Sequence, residues 1–209
     1  MARYKEADCR ICRRAGEKLF LKGEKCLGPK CTIERRPNPP GPRPTRRRKV
    51  SDRGAQWREK QKARFAYGML ERQFRSYYEK AHSQPGVTGE NLVRLLETRL
   101  DNVVMRLGFA DSRDQARQIV NHGHITLNGR KTDIASAHVK PGDVIGFTER
   151  GRRSEYFKVL VESMRNRGPA PQWLTRDDAA MTGRVLALPT RQDGDKTFNE
   201  SVIVEFYSR

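Results

Sequence analysis

Four cysteines lie within the first 31 residues of this 209-residue chain, and their spacing is typical of a metal site. Cys9 and Cys12 form one close pair, and Cys26 and Cys31 form a second pair after thirteen intervening residues. Four-cysteine zinc sites are built in this way, because each short turn directs two thiolates toward one centre. Neighbouring lysines and arginines favour the thiolate over the thiol. The spacing predicts one bound zinc ion, with an iron–sulfur cluster on the same cysteines as the alternative.

Three other uses of the cysteines explain the pattern less well. Two disulfides would match the even number, but the chain shows no export signal, and disulfides are rare in a reducing compartment. A nucleophilic cysteine needs a nearby base, and no histidine precedes His82. Four small buried hydrophobic residues would not require paired spacing.

The charge of the chain predicts a polyanionic partner. Lys and Arg number 43 against 25 Asp and Glu, which gives a formal net charge of +18. Residues 1–50 hold sixteen of these cations and five of the acids. No apolar run approaches the roughly 20 residues of a membrane-spanning helix. We therefore expect a soluble cytoplasmic protein that binds nucleic acid, with no membrane partner and no small-molecule substrate.

A proline-rich basic arm follows the last cysteine. Five prolines fall within residues 37–44, and this composition favours an extended chain over helix or sheet. The arm ends in four adjacent cations that suit a phosphate backbone, although a solvated linker with a localisation-like cluster is the alternative. The predicted RNA-binding cations of the arm are Arg46, Arg47, Arg48 and Lys49.

Residues 51–82 are predicted to form a helix pair. Ser51 or Asp52 caps the first helix, and an interruption is expected near Gly68. Taken singly, each cation in this region is more typical of a solvated face, but as a set the cations extend the basic surface. The predicted RNA-binding members of the set are Arg58, Lys60, Lys62 and Arg72.

A helical stretch from residue 88 to residue 107 carries a leucine-rich apolar stripe, and Arg99 falls inside it. Either the Arg99 head group extends out to water, or one helix ends there and another begins. We place a domain boundary near residue 98 for this reason.

Residues 99–147 form the most informative module. Ser112 and Gln115 fit a helix capping box, Gly123 supplies a helix stop, and Asn128-Gly129 is a strong hairpin signal. The short helix between them has a face of cations and amides with few aromatics. Such a face suits contacts with phosphates, 2′-hydroxyl groups and groove shape more than base stacking.

The sequence as a whole predicts an α+β protein. It combines an N-terminal metal-knuckle extension, a mainly helical domain, and an inserted α+β domain with a small antiparallel sheet. The "ESVIVEFYSR" terminus alternates as a strand, and Trp173 and Leu174 are expected to pack in a core. The predicted domains are residues 1–45, residues 46–98 completed by 199–209, and residues 99–198.

Long ordered motifs carry a family resemblance. "RLDNVVMRLGFADSRDQARQIVNHGHITLNGRK" is similar to the S4 RNA-binding motif. "REKQKARFAYGMLERQFRSYY", "GENLVRLLETRLDNVV" and "NESVIVEFYSR" resemble the fourth protein of the bacterial small ribosomal subunit over essentially the whole chain. The four cysteines resemble the zinc-type branch of that family.

The resemblance implies a structural component of the 30S subunit rather than an enzyme. It implies a primary binder of 16S rRNA that nucleates assembly of the subunit body. It also implies contact with the fifth small-subunit protein, a role in translational accuracy with the fifth and twelfth proteins, and repression of its own mRNA. The RNA-facing residues implied by the matching motif are Arg113, Gln115, Arg117, Gln118, His122 and Lys131.

Two other functions compete with this one. An RNA-modifying enzyme such as a pseudouridine synthase can carry the same motif, but the residues after 147 are enough for only one small domain. A free regulatory protein that binds mRNA is compatible with the ribosomal role.

Overall fold

The chain forms two compact units. The computed structural model describes residue 4 and residues 6–42, 49–164 and 166–208. Unit 1 comprises residues 1–93 and 195–209, and unit 2 comprises residues 94–194. Unit 2 is thus inserted in the sequence of unit 1. Within the described ranges, no helix is long and apolar enough to cross a membrane.

Unit 1 is built from helices. Three short helices, α1 (Cys9–Ala15), α2 (Glu24–Leu27) and α3 (Thr32–Arg35), precede two longer ones, α4 (Asp52–Ala66) and α5 (Glu71–His82). Helix α6 (Thr88–Glu97) begins in unit 1 and ends in unit 2. The last helix of the chain, α11 (Glu200–Ser208), packs on α4.

Local signals set the limits of α4, as predicted. The Ser51 hydroxyl accepts a hydrogen bond from the Gly54 N–H at 3.2 Å, which satisfies one of the free amides of the first turn. Gly68 has φ +58°, a left-handed conformation that is unfavourable for residues with a Cβ, and it separates α4 from α5. The prediction of a helix pair interrupted near Gly68 is therefore confirmed.

The C-terminal residues form α11, so the strand predicted for them is wrong. Ile203 is fully buried, and the Tyr207 ring stacks on Tyr78 with centroids 4.6 Å apart. These two residues are four apart and share one helical face. The apolar run "VIVEFY" fits either periodicity, and packing selects the helix because it brings Ile203 and Tyr207 to the same side.

Unit 2 combines helices with a five-stranded antiparallel sheet. Its helices are α7 (Leu100–Arg106), α8 (Arg113–Asn121), α9 (Glu149–Arg152) and α10 (Glu155–Met164), followed by a 3-10 turn (Arg191–Asp193). Its strands are β1 (Ile125–Leu127), β2 (Arg130–Lys131), β3 (Val144–Phe147), β4 (Leu174–Asp177) and β5 (Thr182–Val185), in the spatial order β2-β1-β3-β5-β4. The prediction of mixed helix and sheet with a small antiparallel sheet is confirmed.

Turn and cap residues fix the centre of unit 2. The Ser112 hydroxyl accepts from the Gln115 N–H at 3.3 Å and starts α8. Asn128 and Gly129 have φ +52° and +77°, the left-handed pair that a two-residue hairpin between β1 and β2 requires. The register then places Ile125 opposite Phe147 on β3.

The core of unit 2 lies between the sheet and its helices. Leu107, Phe109, Ile125 and Ile145 are fully buried, and Trp173 is buried beside Leu174 as predicted. Strands β4 and β5 were not predicted. They are short and carry Thr, Arg and Asp, so their sequences lack the apolar alternation that indicates a strand.

Replacing Gly183 with alanine is expected to destabilise unit 2 by about 1–3 kcal/mol. A Cβ on this β5 residue would lie 3.0 Å from Cγ of the fully buried Leu107 and closer still to both Leu107 methyl groups. Gly168→Ala is the matched control, because its added methyl would meet no atom within 4 Å. Urea denaturation measures both variants, and equal midpoints would show that Leu107 moves aside without cost.

Candidate nucleic-acid interface

The four cysteines are positioned by the three short N-terminal helices. Cys9 and Cys12 occupy successive turns of α1, Cys26 lies in α2, and Cys31 precedes α3. Cys12, Cys26 and Cys31 are buried, Cys9 is half-buried, and all four thiols are free. Ile11 and Leu19 pack with Cys12 in a small apolar cluster.

The thiols lie near enough to influence one another. Burial raises the pKa of the Cys12 thiol, a hydrogen bond from the Leu19 backbone lowers it, and the negative charges of Cys26, Cys9 and Cys31 raise it further. The Lys22 N–H donates to Cys26 Sγ at 3.4 Å. Four such thiols are suitable donors for a thiophilic metal.

The four thiols are nevertheless not gathered into one metal site. Among the residues that the structure describes, no three His, Cys, Asp or Glu side chains are grouped closely enough to hold a metal ion. The metal-knuckle extension therefore stays a prediction, supported by donor chemistry and burial but not by ligand geometry.

The cations of the arm are mostly beyond the described residues. Arg46, Arg47 and Arg48 lie outside them, and their predicted contact with RNA stays a prediction. Lys49 is described and exposed, two residues before the Ser51 cap of α4.

The helical cations divide into an exposed pair and a buried pair. Arg58 and Arg72 are exposed on α4 and α5. Lys60 is buried, and its ammonium lies 2.6 Å from Glu71 Oε1 and 4.9 Å from the centroid of the Phe206 ring. Lys62 is also buried and pairs with glutamates inside unit 1. The exposed pair is thus available to a ligand, whereas Lys60 joins α4 to α5 and Lys62 joins α4 to the segment after α1.

These pairings shift the pKa values of Glu71, Tyr207 and Lys62. Burial alone would raise the pKa of the Glu71 carboxyl, but hydrogen bonds from Lys60 and Tyr207 lower it. Burial and the hydrogen bond to Glu71 raise the pKa of Tyr207. Burial alone would lower the pKa of Lys62, but Glu59 and Glu17 raise it. The Glu71 carboxyl therefore stays ionised, and Lys62 serves as a structural cation.

The far end of α8 presents an exposed polar group. Gln118 and His122 are exposed in its last turns. Gly123, with φ +71°, has no Cβ, and the aliphatic end of Lys131 crosses the position a Cβ would occupy. An added Cβ there would be 3.1 Å from Lys131 Nζ. The glycine thus lets the Lys131 side chain pack against the backbone that follows His122, and we refer to the exposed residues Gln118, His122 and Lys131 as the α8 patch.

The other predicted residues of α8 are held by neighbours. Gln115 is half-buried, and its Oε1 accepts from the Asp111 N–H at 2.7 Å. Arg113 Nε donates to Asn102 Oδ1 at 2.7 Å, and Arg117 Nε lies 3.8 Å from Asp101 Oδ2. Both guanidinium groups keep only a small exposed fraction, so their positions are fixed before any ligand binds.

The geometry suits a sugar–phosphate backbone. The patch of Gln118, His122 and Lys131 offers an amide, an imidazole and an ammonium, which donate to phosphate and 2′-hydroxyl oxygens. It contains no Phe, Tyr or Trp side chain on which a base could stack. The arrangement therefore suits contacts with the backbone and shape of folded RNA more than base stacking.

Comparison with known proteins decides the family. A family model described as "Ribosomal protein S4/S9 N-terminal domain" matches residues 3–97, and one described as "S4 domain" matches residues 98–145. The small ribosomal subunit protein uS4 of Heliobacterium modesticaldum is 54% identical over 209 residues and 100% of both chains. The chain belongs to the uS4 family. Proteins named uS4 from Maridesulfovibrio salexigens and Dehalococcoides mccartyi are 54% and 52% identical, again over 100% of both chains.

Sequence reasoning missed the ionic network beneath the interface of this uS4 family member. Arg99 is fully buried, and its Nε and Nη2 donate to the two carboxylate oxygens of Asp101 at 3.0 and 2.6 Å. Glu97 is also fully buried and accepts from Arg106 and Asn102. The visible signal was Arg99 inside the leucine stripe, and the structure confirms the reading in which α6 ends at Glu97 and α7 begins at Leu100.

Proposed function

We propose that this chain is a structural, RNA-binding constituent of the small ribosomal subunit. The observation that carries the proposal is the full-length match, at 54% identity, to proteins named small ribosomal subunit protein uS4. The exposed polar patch at the end of α8 supports it, because its groups suit an RNA backbone. The full-length match to ribosomal proteins also argues against the alternative of an RNA-modifying enzyme.

The specific role proposed is that of a primary 16S rRNA binder that nucleates assembly of the 30S body. Two features support this role: the basic N-terminal quarter of the chain, and Arg113 and Arg117 of α8, which neighbouring side chains hold in place. In this role the chain contacts the fifth small-subunit protein, contributes to accuracy with the fifth and twelfth, and represses its own mRNA.

Binding to folded 16S RNA tests the proposal. The full chain is expected to prefer a folded 16S fragment over random RNA of equal length, with affinity that falls steeply as salt increases. Electrophoretic mobility shifts at several salt concentrations provide the measurement. Equal affinity for the two RNAs would contradict the proposal, because charge alone would then explain binding.

Replacing Arg46, Arg47 and Arg48 with alanine is expected to flatten the dependence of log affinity on log salt by up to about 3 units. Each phosphate contact contributes roughly 0.7–0.9 to that slope. Arg75→Ala is the single-charge control, because Arg75 is exposed and pairs with Glu79 on α5. An unchanged slope in the triple variant would mean that the run is solvated in the complex.

The metal proposal is that Cys9, Cys12, Cys26 and Cys31 bind one zinc ion as thiolates. Their paired spacing, the burial of three of the four and the mutual influence of their charges support it. When bound, the ion would join α1, α2 and α3 in a segment with a very small apolar core. An iron–sulfur cluster on the same four thiols is the competing assignment.

A further inference from the structure

Unit 1 contains a cavity that is lined by none of the α8 patch residues. Its volume is about 490 Å³, and it lies between α1 and α4. Pockets that hold small ligands have volumes of roughly 300–1,000 Å³. The floor is apolar, with Ile11, Leu19 and Phe65 contributing. The size and the floor suit a planar organic group.

An exposed indole forms one side of this cavity. Trp57 is 46% exposed, which is unusual for the largest aromatic side chain. Phe65 beside it is already covered, because the Arg64 guanidinium lies 4.1 Å from its ring centroid and Tyr4 meets it edge-on. Trp57 and the 39%-exposed Tyr4 are therefore the aromatic surfaces of the cavity that an incoming ring can cover, and Trp57 is the larger and more exposed of the two.

Two guanidinium groups at the same cavity are available to an anion. Arg14 of α1 and Arg58 of α4 both line it and are exposed. Neither forms an ion pair or hydrogen bond with the described residues, whereas Arg10 is paired with Glu6 at 3.0 Å. Arginine binds phosphate through parallel N–H donors. An aromatic plane next to two available arginines matches a nucleobase and its phosphate.

We propose that this cavity binds a single unpaired nucleotide, with its base on Trp57 and its phosphate on Arg14 and Arg58. The proposal deepens the proposed function, on which it rests, by adding a base-stacking site to a protein whose α8 patch has no Phe, Tyr or Trp. Gln61 also lines the cavity, and its Oε1 already accepts from Arg64 Nε at 2.7 Å. The Gln61 amide is left to donate, which favours a base edge that carries an acceptor.

The chain contains two tryptophans, and their burial makes the site measurable. Trp173 in unit 2 is 3% exposed, and Trp173→Phe leaves Trp57 as the sole tryptophan, whose emission is followed with excitation that avoids tyrosine. The probes are an RNA duplex with one bulged adenosine, the same duplex without the bulge, and free adenosine 5′-monophosphate. The bulged duplex is expected to quench Trp57 fluorescence, and the unbulged duplex is expected to leave it unchanged.

Two variants assign the effect to the cavity. Trp57→Ala is expected to weaken binding of the bulged duplex about tenfold, within the range for loss of one stacked base, and to leave the unbulged duplex unaffected. Arg14→Ala is expected to weaken the bulged duplex more than the control Arg75→Ala does. Saturating quenching by the free monophosphate at equal concentration would support the nucleotide site and identify a free nucleotide as its occupant.

The possible results distinguish failure of the nucleotide site from failure of the proposed ribosomal function. A preference for the bulged duplex that survives Trp57→Ala, or no quenching by any probe, would overturn the nucleotide site. In that case normal binding of the folded 16S fragment would leave the ribosomal function intact. Loss of all preference for the 16S fragment in the unmutated chain would overturn the function itself.

Discussion

Replacing Asp101 with alanine is expected to lower the free energy of unfolding of unit 2 by about 3–5 kcal/mol. The Arg99 side chain is fully buried, and Asp101 receives two of its hydrogen bonds. Removal of the carboxylate leaves a cation in the core without its counter-charge, and the cost of that desolvation is not recovered. Arg117 loses its nearby carboxylate in the same variant.

The measurement uses the buried tryptophan of unit 2. In a Trp57→Phe background, Trp173 is the sole tryptophan. Its fluorescence during urea denaturation therefore reports on the unfolding of unit 2. Glu155→Ala is the matched control, because its ion pair with Lys158 lies on the surface with exposed fractions of 86% and 64%. Its expected cost is below about 1 kcal/mol. Similar losses in the two variants would contradict the role assigned to the buried pair.

The same substitution is expected to affect RNA binding through Arg117. Arg117 Nε lies 3.8 Å from Asp101, so the carboxylate positions this guanidinium on α8. At low denaturant, where unit 2 remains folded, Asp101→Ala should weaken binding to the 16S fragment more than Glu155→Ala does. The carboxylate itself carries the wrong charge to contact phosphate, so a loss of affinity would identify it as a positioning residue.

Anaerobically purified protein is expected to contain about one equivalent of zinc, and Cys12→Ser is expected to lose it. Structural zinc sites bind with roughly 10–16 kcal/mol at neutral pH, and this free energy contributes to folding of the surrounding segment. Among the described residues of this segment, the buried apolar cluster is small and consists of Ile11, Cys12 and Leu19. Without metal, α1 to α3 should become sensitive to proteases while unit 2 stays resistant.

Elemental analysis with an absorption spectrum measures the metal and identifies it. Visible charge-transfer bands would assign an iron–sulfur cluster, whereas a colourless protein with zinc supports the proposed site. Ala15→Ser is the control, because Ala15 packs against the same cluster and the variant adds a hydroxyl without removing a thiol. Metal-free protein with equal protease resistance in both variants would show that the cysteines act as ordinary core residues.

The parts of the fold that sequence predicted are those with local causes. The Ser51 cap, the break at Gly68 and the hairpin at Asn128-Gly129 each depend on backbone preferences of one or two residues. The C-terminal helix could not be predicted in this way, because its apolar run fits both periods and Tyr78 decides between them. A local sequence pattern does not report long-range contacts such as the one between Tyr78 and Tyr207.

The candidate site was predictable to the extent that its residues are exposed. The motif predicts three RNA-facing residues that lie on the surface: Gln118, His122 and Lys131. The same reasoning treats Lys60 as one more surface cation, yet its ammonium is buried against Glu71. The sequence does not distinguish a helical lysine that faces water from one that pairs with a glutamate eleven residues away, because packing decides between them.

The packing of α11 on α4 has a consequence for the order in which the new chain folds during its own synthesis. Roughly 130 residues separate the end of α4 from the start of α11, which at roughly 5–20 residues per second is a wait of roughly 7–26 seconds. Unit 2 is continuous and emerges within that interval. The unit begun first is therefore completed last, and the surface that receives Ile203 and Tyr207 stays uncovered until the final helix emerges.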